Sequence, residues 1–100
     1  MPNYTKVTVV DSPYTVKASD HFVCVDTSNG AVTVELPRSA DVGAGFTFIV
    51  KDEGGRAAAS NITVKTPVRE TLDGSDRLIV TIGYSSYQLY TNGINWFVLD

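Results

Sequence analysis

The sequence is poor in the residue types on which most metal and nucleophilic chemistry depends. Its 100 residues include one cysteine, Cys24, and one histidine, His21. A single cysteine excludes an internal disulfide, and small secreted domains usually carry several, so we expect synthesis in a reducing cytoplasm. A structural zinc site needs about four ligands, more than one histidine and one cysteine supply. We therefore predict no metal site and no cofactor.

Charge is also sparse. Charged residues make up 19% of the chain, the net charge is −3, and the eight lysines and arginines are scattered. Without a basic run to neutralise phosphates, we predict no nucleic-acid partner. No apolar run is long enough to cross a bilayer, and the first residues lack the features of a signal peptide, so we predict no membrane partner.

Candidate catalytic groups are few and badly placed for catalysis. A serine or cysteine nucleophile would have to use His21 as its base, and no Gly-x-Ser-x-Gly elbow accompanies it. Paired carboxylates can cleave glycosidic bonds, and the candidates are Asp52 with Glu53 and Asp73 with Asp76. All four lie in glycine-rich turns, where acidic side chains commonly cap or solvate a loop. We predict no catalytic residues and a protein that is not an enzyme.

What the sequence does contain is many short, alternating, β-branched runs separated by turn residues. Val32, Val34 and Leu36 face one way, for example, with polar residues between them. This period of two is typical of half-buried strands, and no segment has the period of an amphipathic helix. The predicted strands span 4–10, 14–17, 22–25, 31–36, 46–51, 61–65 and 77–82, followed by a closing hairpin. Residues 1–100 are predicted to form one all-β domain, an antiparallel β-sandwich or a jelly-roll-like barrel.

The closing hairpin is the clearest local signal. Asn92-Gly93 between two apolar runs predicts a two-residue turn, which would pair Thr91 with Ile94 and Leu89 with Trp96. The face that this register turns inward is almost wholly apolar and comprises Tyr87, Leu89, Thr91, Ile94, Trp96 and Val98. The side chains predicted to anchor the core are Trp96, Leu89, Phe48 and Val34.

The opposite face of the hairpin is too apolar to meet only water. It carries Tyr90, Phe97 and Leu99, which we predict to form an oligomer interface because a small domain has little interior to offer them. Physics alone favours a dimer, the commonest symmetric assembly. Exposed aromatic rings can also stack on sugars, so glycan binding by the aromatic residues of this region is a second interpretation. Those residues are Tyr84, Tyr87, Tyr90, Trp96 and Phe97.

Several segments together resemble a module of bacteriophage structural proteins. The first are Tyr14-Thr-Val-Lys-Ala-Ser-Asp20 and Val25-Asp-Thr-Ser-Asn-Gly-Ala-Val-Thr-Val-Glu-Leu-Pro37. Phe48-Ile-Val-Lys-Asp52 and Asn61-Ile-Thr-Val64 follow, and then Asp73-Gly74 and Asn92-Gly-Ile-Asn-Trp96. The resemblance covers nearly all of the chain after Pro13, and its segments occur in the same order as in the family.

The resemblance implies a non-enzymatic virion structural protein, made in the cytoplasm of a bacterial host. Such modules are all-β and often trimeric, which changes the expected assembly from a dimer to a homotrimer. The expected role is that of a capsid decoration (cement) protein, which stabilises the head by binding the major capsid protein or another virion protein. The alternative is the tip of a tail fibre, which recognises glycans on the host surface.

Overall fold

The computed structural model describes residues 3–99, which form mainly short strands. The strands are β1 (Tyr4–Val7), β2 (Tyr14–Thr15), β3 (Phe22–Val25), β4 (Val32–Glu35), β5 (Thr47–Asp52), β6 (Ile62–Lys65), β7 (Arg77–Val80), β8 (Ser86–Thr91) and β9 (Trp96–Val98). A 3-10 turn spans Val9–Asp11, and the short helix α1 spans Ser39–Val42. No helix in this part of the chain is long and apolar enough to cross a membrane.

The strands form two sheets, and the chain alternates between them. One sheet has five strands in the order β1-β3-β5-β8-β9, and the other has four in the order β2-β4-β6-β7. The first six strands therefore enter the two sheets in turn, so that the chain coils with one strand of each sheet per turn. Strands β7, β8 and β9 then add in antiparallel fashion at the far end of both sheets.

The prediction of a mostly β chain is confirmed, but the prediction of antiparallel pairing is wrong for the coil. Among the strand pairs of the described residues, β1–β3, β3–β5, β2–β4 and β4–β6 are parallel. Both sheets are therefore mixed, which is not the architecture of an antiparallel sandwich or jelly roll. Each strand of the coil pairs with the strand two places further along the chain, because the strand between them lies in the other sheet.

The core lies between the two sheets and is built mainly from β-branched side chains in register. Val23 is beside Val50 in the five-stranded sheet, and Val34 is beside Val64 in the other. Such residues suit strands because their stiff side chains pack well on a pleated surface. At one end the core contains Trp96, whose ring contacts Phe46 and Phe48 edge-on at centroid distances of 6.1 and 6.0 Å. The four predicted anchors, Trp96, Leu89, Phe48 and Val34, are fully buried.

A polar layer covers the core at the first turn of the coil. Asp20 is only 7% exposed and accepts hydrogen bonds from Thr5 of β1 at 2.8 Å and from Tyr14 of β2 at 2.7 Å. The backbone N–H of Lys17 donates a third, also at 2.8 Å. Burial of Tyr14 and its hydrogen bond to Asp20 raise its pKa to about 12. The register partners of Thr5 and Tyr14 on the neighbouring interior strands are valines, Val23 and Val34. The layer therefore covers the apolar interior with polar groups whose hydrogen bonds are satisfied.

The closing hairpin is present, but its register differs from the prediction by two residues. Thr91 pairs with Trp96 and Leu89 with Val98, so the loop has four residues, 92–95, rather than two. Ile94, predicted to be buried, lies in that loop and is 70% exposed. An even shift keeps each remaining side chain on its predicted face, which is why Trp96 still faces the core.

Candidate interaction face

The outward side of the five-stranded sheet carries a group of apolar side chains, with Thr47 and Gln88 between them. Since Val23, Phe48, Val50 and Leu89 point into the core, alternation turns their neighbours outward. One row across the sheet runs from Tyr4 through Phe22 and Ile49 to Gln88, and a second joins Thr47, Tyr90 and Phe97. We call this surface the outer apolar face and define it by Tyr4, Phe22, Ile49, Tyr90, Phe97 and Leu99.

The three residues predicted as an interface lie together on this face. The rings of Tyr90 and Phe97 are stacked across β8 and β9, with centroids 5.4 Å apart. Leu99 follows β9, and its backbone N–H donates to the carbonyl of Gln88 at 2.7 Å, which continues the ladder by one residue. The side chains of Tyr90 and Phe97 are half-buried, whereas Leu99 is 60% exposed. The stacked rings of Tyr90 and Phe97 are thus partly shielded from water, and Leu99 beside them is open to it.

A charged cluster borders the same face at strand β1. The carboxylate of Glu53 accepts hydrogen bonds from Lys6 at 2.7 Å and from the hydroxyl of Tyr4 at 2.7 and 2.9 Å. These bonds hold the pKa of Glu53 below its usual range and raise those of Lys6 and Tyr4. Cys24 is buried beneath them, and burial, reinforced by Glu53, raises the pKa of its thiol. A raised thiol pKa lowers the fraction of reactive thiolate at neutral pH.

The predicted acidic pairs are not arranged as pairs. Asp52 ends β5 pointing inward and is buried, while Glu53 lies outside with Lys6 and Tyr4. Asp73 accepts a hydrogen bond from the backbone N–H of Val98, and Asp76 instead forms an ion pair with Arg77 at 3.2 Å. Within residues 3–99, no group of three His, Cys, Asp or Glu side chains is placed to hold a metal ion.

The aromatic residues proposed for glycan stacking are dispersed over the molecule. Trp96 is in the core, Tyr87 packs against it, and Tyr90 and Phe97 lie on the outer apolar face. Tyr84 is separate: it is 64% exposed and adopts a left-handed backbone with φ of 63°. Its N–H donates to the buried carboxylate of Asp52 at 3.1 Å, and its carbonyl accepts a hydrogen bond from Lys51. A bulky residue at positive φ is unusual, and these contacts hold it there.

Sequence reasoning missed half of the outer apolar face. Tyr4, Phe22 and Ile49 lie on strands far from the hairpin in sequence, and only the parallel pairing brings them beside it. One signal that points to them is the 22–25 run, which is apolar at every position and therefore predicts a strand covered on both faces. That pattern marks a central strand but does not tell which of its neighbours extend the outer surface.

Comparison with models of known protein families found no match to this chain. Comparison with curated proteins also found no match. The function is therefore inferred from the chemistry of the chain's own surfaces, together with the resemblance described above.

Proposed function

We propose that this chain is a non-enzymatic virion structural protein that assembles as a homotrimer and decorates the capsid. The observation that carries the proposal is the outer apolar face. Six apolar or aromatic residues lie on the outward side of the five-stranded sheet among polar ones, and Tyr4 and Leu99 are each 60% exposed. Contiguous apolar surfaces of this kind mark interaction sites, and aromatic residues are enriched at the centres of protein interfaces.

The border of the face suits a protein partner. The ion pair between Lys6 and Glu53, supported by Tyr4, gives a polar rim beside an apolar centre. Interfaces commonly have this arrangement, in which the rim contributes specificity and the buried centre contributes most of the binding free energy. We infer that copies of the chain associate through this face and that the trimer binds the major capsid protein.

The trimeric state draws on the resemblance to phage modules. A face that self-associates must do so with closed symmetry if the assembly is to stay soluble. Two-fold and three-fold arrangements both satisfy this condition, and the phage modules that the chain resembles are often trimers. Three copies around an axis would bring three outer apolar faces towards one another.

Light scattering of the purified protein tests the assembly. We expect a mass near three times the 10.8 kDa of one chain at micromolar concentration. Phe97→Asp places a charge against Tyr90 on the outer apolar face, at the β9 edge of the sheet, and should give a monomer. Leu99→Asp tests the more exposed neighbouring position in case Phe97→Asp disturbs folding. The matched control is Ile79→Asp, because Ile79 is 46% exposed on the four-stranded sheet. A mass of one chain for the unaltered protein would end the proposal of self-association, and a mass of two chains would end the trimer.

Location on the particle tests the virion role. Immuno-electron microscopy should show label distributed over the head if the protein decorates the capsid. Label confined to a tail tip would instead support the alternative, a receptor-recognition module that binds host surface glycans. The observation that favours this alternative is Tyr84, whose ring is exposed and whose backbone is held by hydrogen bonds to the side chains of Asp52 and Lys51. In that case Tyr84→Ala should reduce binding to host cells while leaving the fold intact.

A further inference from the structure

A groove on the other sheet has chemistry that the proposed assembly does not use. It has a volume of about 280 Å³ and lies where the parallel strands β2, β4 and β6 end. Thr15, Glu35 and Lys65 occupy one row across these strands and line the groove. Leu36, Pro67 and Val68 complete its apolar wall, and Val68 is 84% exposed. The volume falls just below the usual range for ligand pockets, about 300–1,000 Å³, so a small ligand is indicated.

The groove presents two opposite charges that do not neutralise each other directly. Glu35 and Lys65 are register partners on adjacent parallel strands, which lie about 4.8 Å apart. Even so, within residues 3–99 no ion pair joins them, and no hydrogen bond involves the ammonium group of Lys65. Glu35 accepts only one side-chain hydrogen bond there, from the hydroxyl of Thr15 to Oε1 at 3.3 Å. A carboxylate and an ammonium group are thus both available to a ligand.

This pair of charges restricts the class of ligand. A simple carboxylate drawn to Lys65 would also face the carboxylate of Glu35, and a simple amine drawn to Glu35 would face the ammonium of Lys65. A ligand with both charges avoids each repulsion and forms two charge-assisted hydrogen bonds. The aliphatic wall adds a place for an apolar group beside them. Together these features favour an amino acid with an aliphatic side chain.

We propose that this groove binds a free zwitterionic α-amino acid with an aliphatic side chain. Its ammonium group is held by Glu35, its carboxylate by Lys65, and its side chain by Pro67 and Val68. Because the groove is open to water, each charged contact contributes modestly. We expect a dissociation constant on the order of 1 mM, typical of a small ligand in an open site.

The test is an NMR titration of the ¹⁵N-labelled protein with L-valine. At about 20 mM valine, roughly 20 times the expected constant, the site should be nearly saturated. The amide signals that shift should be those of Glu35, Leu36, Lys65, Thr66 and Val68, since Pro67 has no backbone N–H. Isovalerate and isobutylamine each keep one charge of valine and the same branched chain, and both should bind at least about fivefold more weakly. Methyl glucoside, which carries hydroxyls and no charge, should cause no saturable shift.

Two variants test the assigned contacts. Glu35→Gln and Lys65→Gln should each weaken valine binding by about fivefold, while Asp41→Asn and Lys17→Gln remove the same charges elsewhere and should leave it unchanged. The dispersion of the amide spectrum shows whether each variant is folded. No shift with valine, shifts outside the groove, or equal binding of a single-charge analogue would overturn the proposal. Because the groove and the outer apolar face are on different sheets, a monomeric Phe97→Asp protein should still bind valine, so this test is separate from that of assembly.

Discussion

At the scale of single residues, two buried carboxylates join segments that are far apart in sequence. Asp20 receives hydrogen bonds from β1, from β2 and from the turn that precedes it. Asp52, at the end of β5, also joins distant segments. Its Oδ2 accepts hydrogen bonds from the backbone N–H groups of Ala57 at 3.0 Å and Tyr84 at 3.1 Å. Its Oδ1 is buried with no hydrogen-bond partner among the described residues. Burial of a carboxylate is tolerated here because backbone donors replace part of its hydration.

The Tyr14–Asp20 contact predicts a specific dependence of stability on alkaline pH. Tyr14 has a pKa of about 12 in the folded chain, above its value of about 10 in an unfolded one. The folded state therefore retains a proton that the unfolded state loses, so the free energy of unfolding falls as the pH rises from about 10 towards 12. Tyr14→Phe removes this group and should show a smaller fall.

Urea unfolding of the two proteins between pH 7 and pH 11.5 measures this effect. The stability advantage of the unaltered protein over Tyr14→Phe should be full below pH 10 and shrink above it. Tyr84→Phe is the matched control for the loss of a phenol hydroxyl, since Tyr84 is largely exposed. An advantage over Tyr14→Phe that stays constant across the range would contradict the assignment.

Trp96 gives a second prediction at this scale. Its ring is fully buried against Phe46 and Phe48, and its Nε1 donates to the carbonyl of Pro37 at 3.2 Å. Trp96→Ala should lower the free energy of unfolding by about 3–5 kcal/mol, the usual cost of truncating a large aromatic residue in a core. Chemical denaturation followed by circular dichroism measures it. Tyr84→Ala, which truncates an exposed aromatic residue, should cost far less.

The burial of core side chains could be predicted from the sequence, whereas the hydrogen-bond partners of the buried carboxylates could not. Trp96 and Leu89 could be placed in the core because alternation assigns faces even when the register is displaced by two. The partners of Asp20 could not be predicted, since Thr5 and Tyr14 lie on strands of different sheets. A side-chain hydrogen bond between distant segments has no local pattern in the sequence.

At the scale of elements, strand positions were predictable and strand partners were not. The 22–25 run is the strand β3 as predicted, and most other strands are shortened by one to three residues at an end. Alternation of apolar and polar residues indicates that one face of a strand is buried, but the pattern is the same whether the neighbouring strands are parallel or antiparallel. The turns of the coil also differ in length. Tyr4 on β1 pairs with Phe22 on β3, and Phe22 pairs with Ile49 on β5, so the second turn contains more residues than the first. No fixed period could reveal the coil.

In the closing hairpin, Asn92-Gly93 correctly predicts the position of the turn but not the length of its loop. A two-residue turn of type I′ requires positive φ at both Asn92 and Gly93. Only Gly93 adopts it, with φ of 93°. The Asn92 side chain instead accepts the N–H groups of Ile94 and Asn95, both at 2.9 Å, and so closes a longer loop. An asparagine side chain can accept hydrogen bonds from the backbone that follows it, so Asn-Gly is compatible with a four-residue loop as well as with a two-residue turn.

The close approach between two connections gives a prediction at this scale. The loop after β5 passes so near Gly83 that a Cβ atom there would lie 2.7 Å from the backbone carbonyl oxygen of Gly55. Gly83→Ala should therefore force the backbone apart and lower the free energy of unfolding by about 1–3 kcal/mol. Thermal denaturation would measure the loss.

The control for Gly83→Ala is a glycine with open space around it. Gly74 has φ of 84° and nothing within 4 Å of the added Cβ, so Gly74→Ala reports the cost of the left-handed backbone alone. Gly83 does not have positive φ, so its substitution reports the steric conflict alone. If Gly83→Ala were as stable as the unaltered protein, the two connections could not be packed as closely as the structure shows.

At the scale of the whole molecule, the two sheets present different chemistry to their surroundings. One outward row of the four-stranded sheet consists of Thr15, Glu35, Lys65 and Arg77, all polar, and a second joins Thr33, Thr63 and Ile79. The five-stranded sheet turns Phe22, Ile49, Tyr90 and Phe97 outward instead. An isolated domain in water gains no stability from apolar side chains on the outer side of one sheet. This asymmetry fits a chain in which one sheet meets a partner and the other meets solvent and small solutes.

The sequence predicted part of this asymmetry. Tyr90 and Phe97 were placed on one face because they alternate with core residues within a single hairpin, which is local information. The groove formed by Glu35 and Lys65 was not predictable, because these residues are brought together only by the pairing of β4 with β6. Sites within one hairpin can be read from periodicity, whereas sites that cross parallel strands depend on a topology that periodicity does not specify.

If the outer apolar face mediates self-association, thermal stability must depend on protein concentration. Assembly favours the folded state by mass action, so a hundredfold increase in concentration should raise the melting temperature by about 5–10 °C. Phe97→Asp should abolish this dependence, and Ile79→Asp, on the other sheet, should keep it. Differential scanning calorimetry from about 5 to 500 μM, which spans that hundredfold range, measures all three proteins. A melting temperature that is independent of concentration in the unaltered chain would mean that its folded form is monomeric, and the outer apolar face would then have to be covered by a different protein, such as the capsid itself.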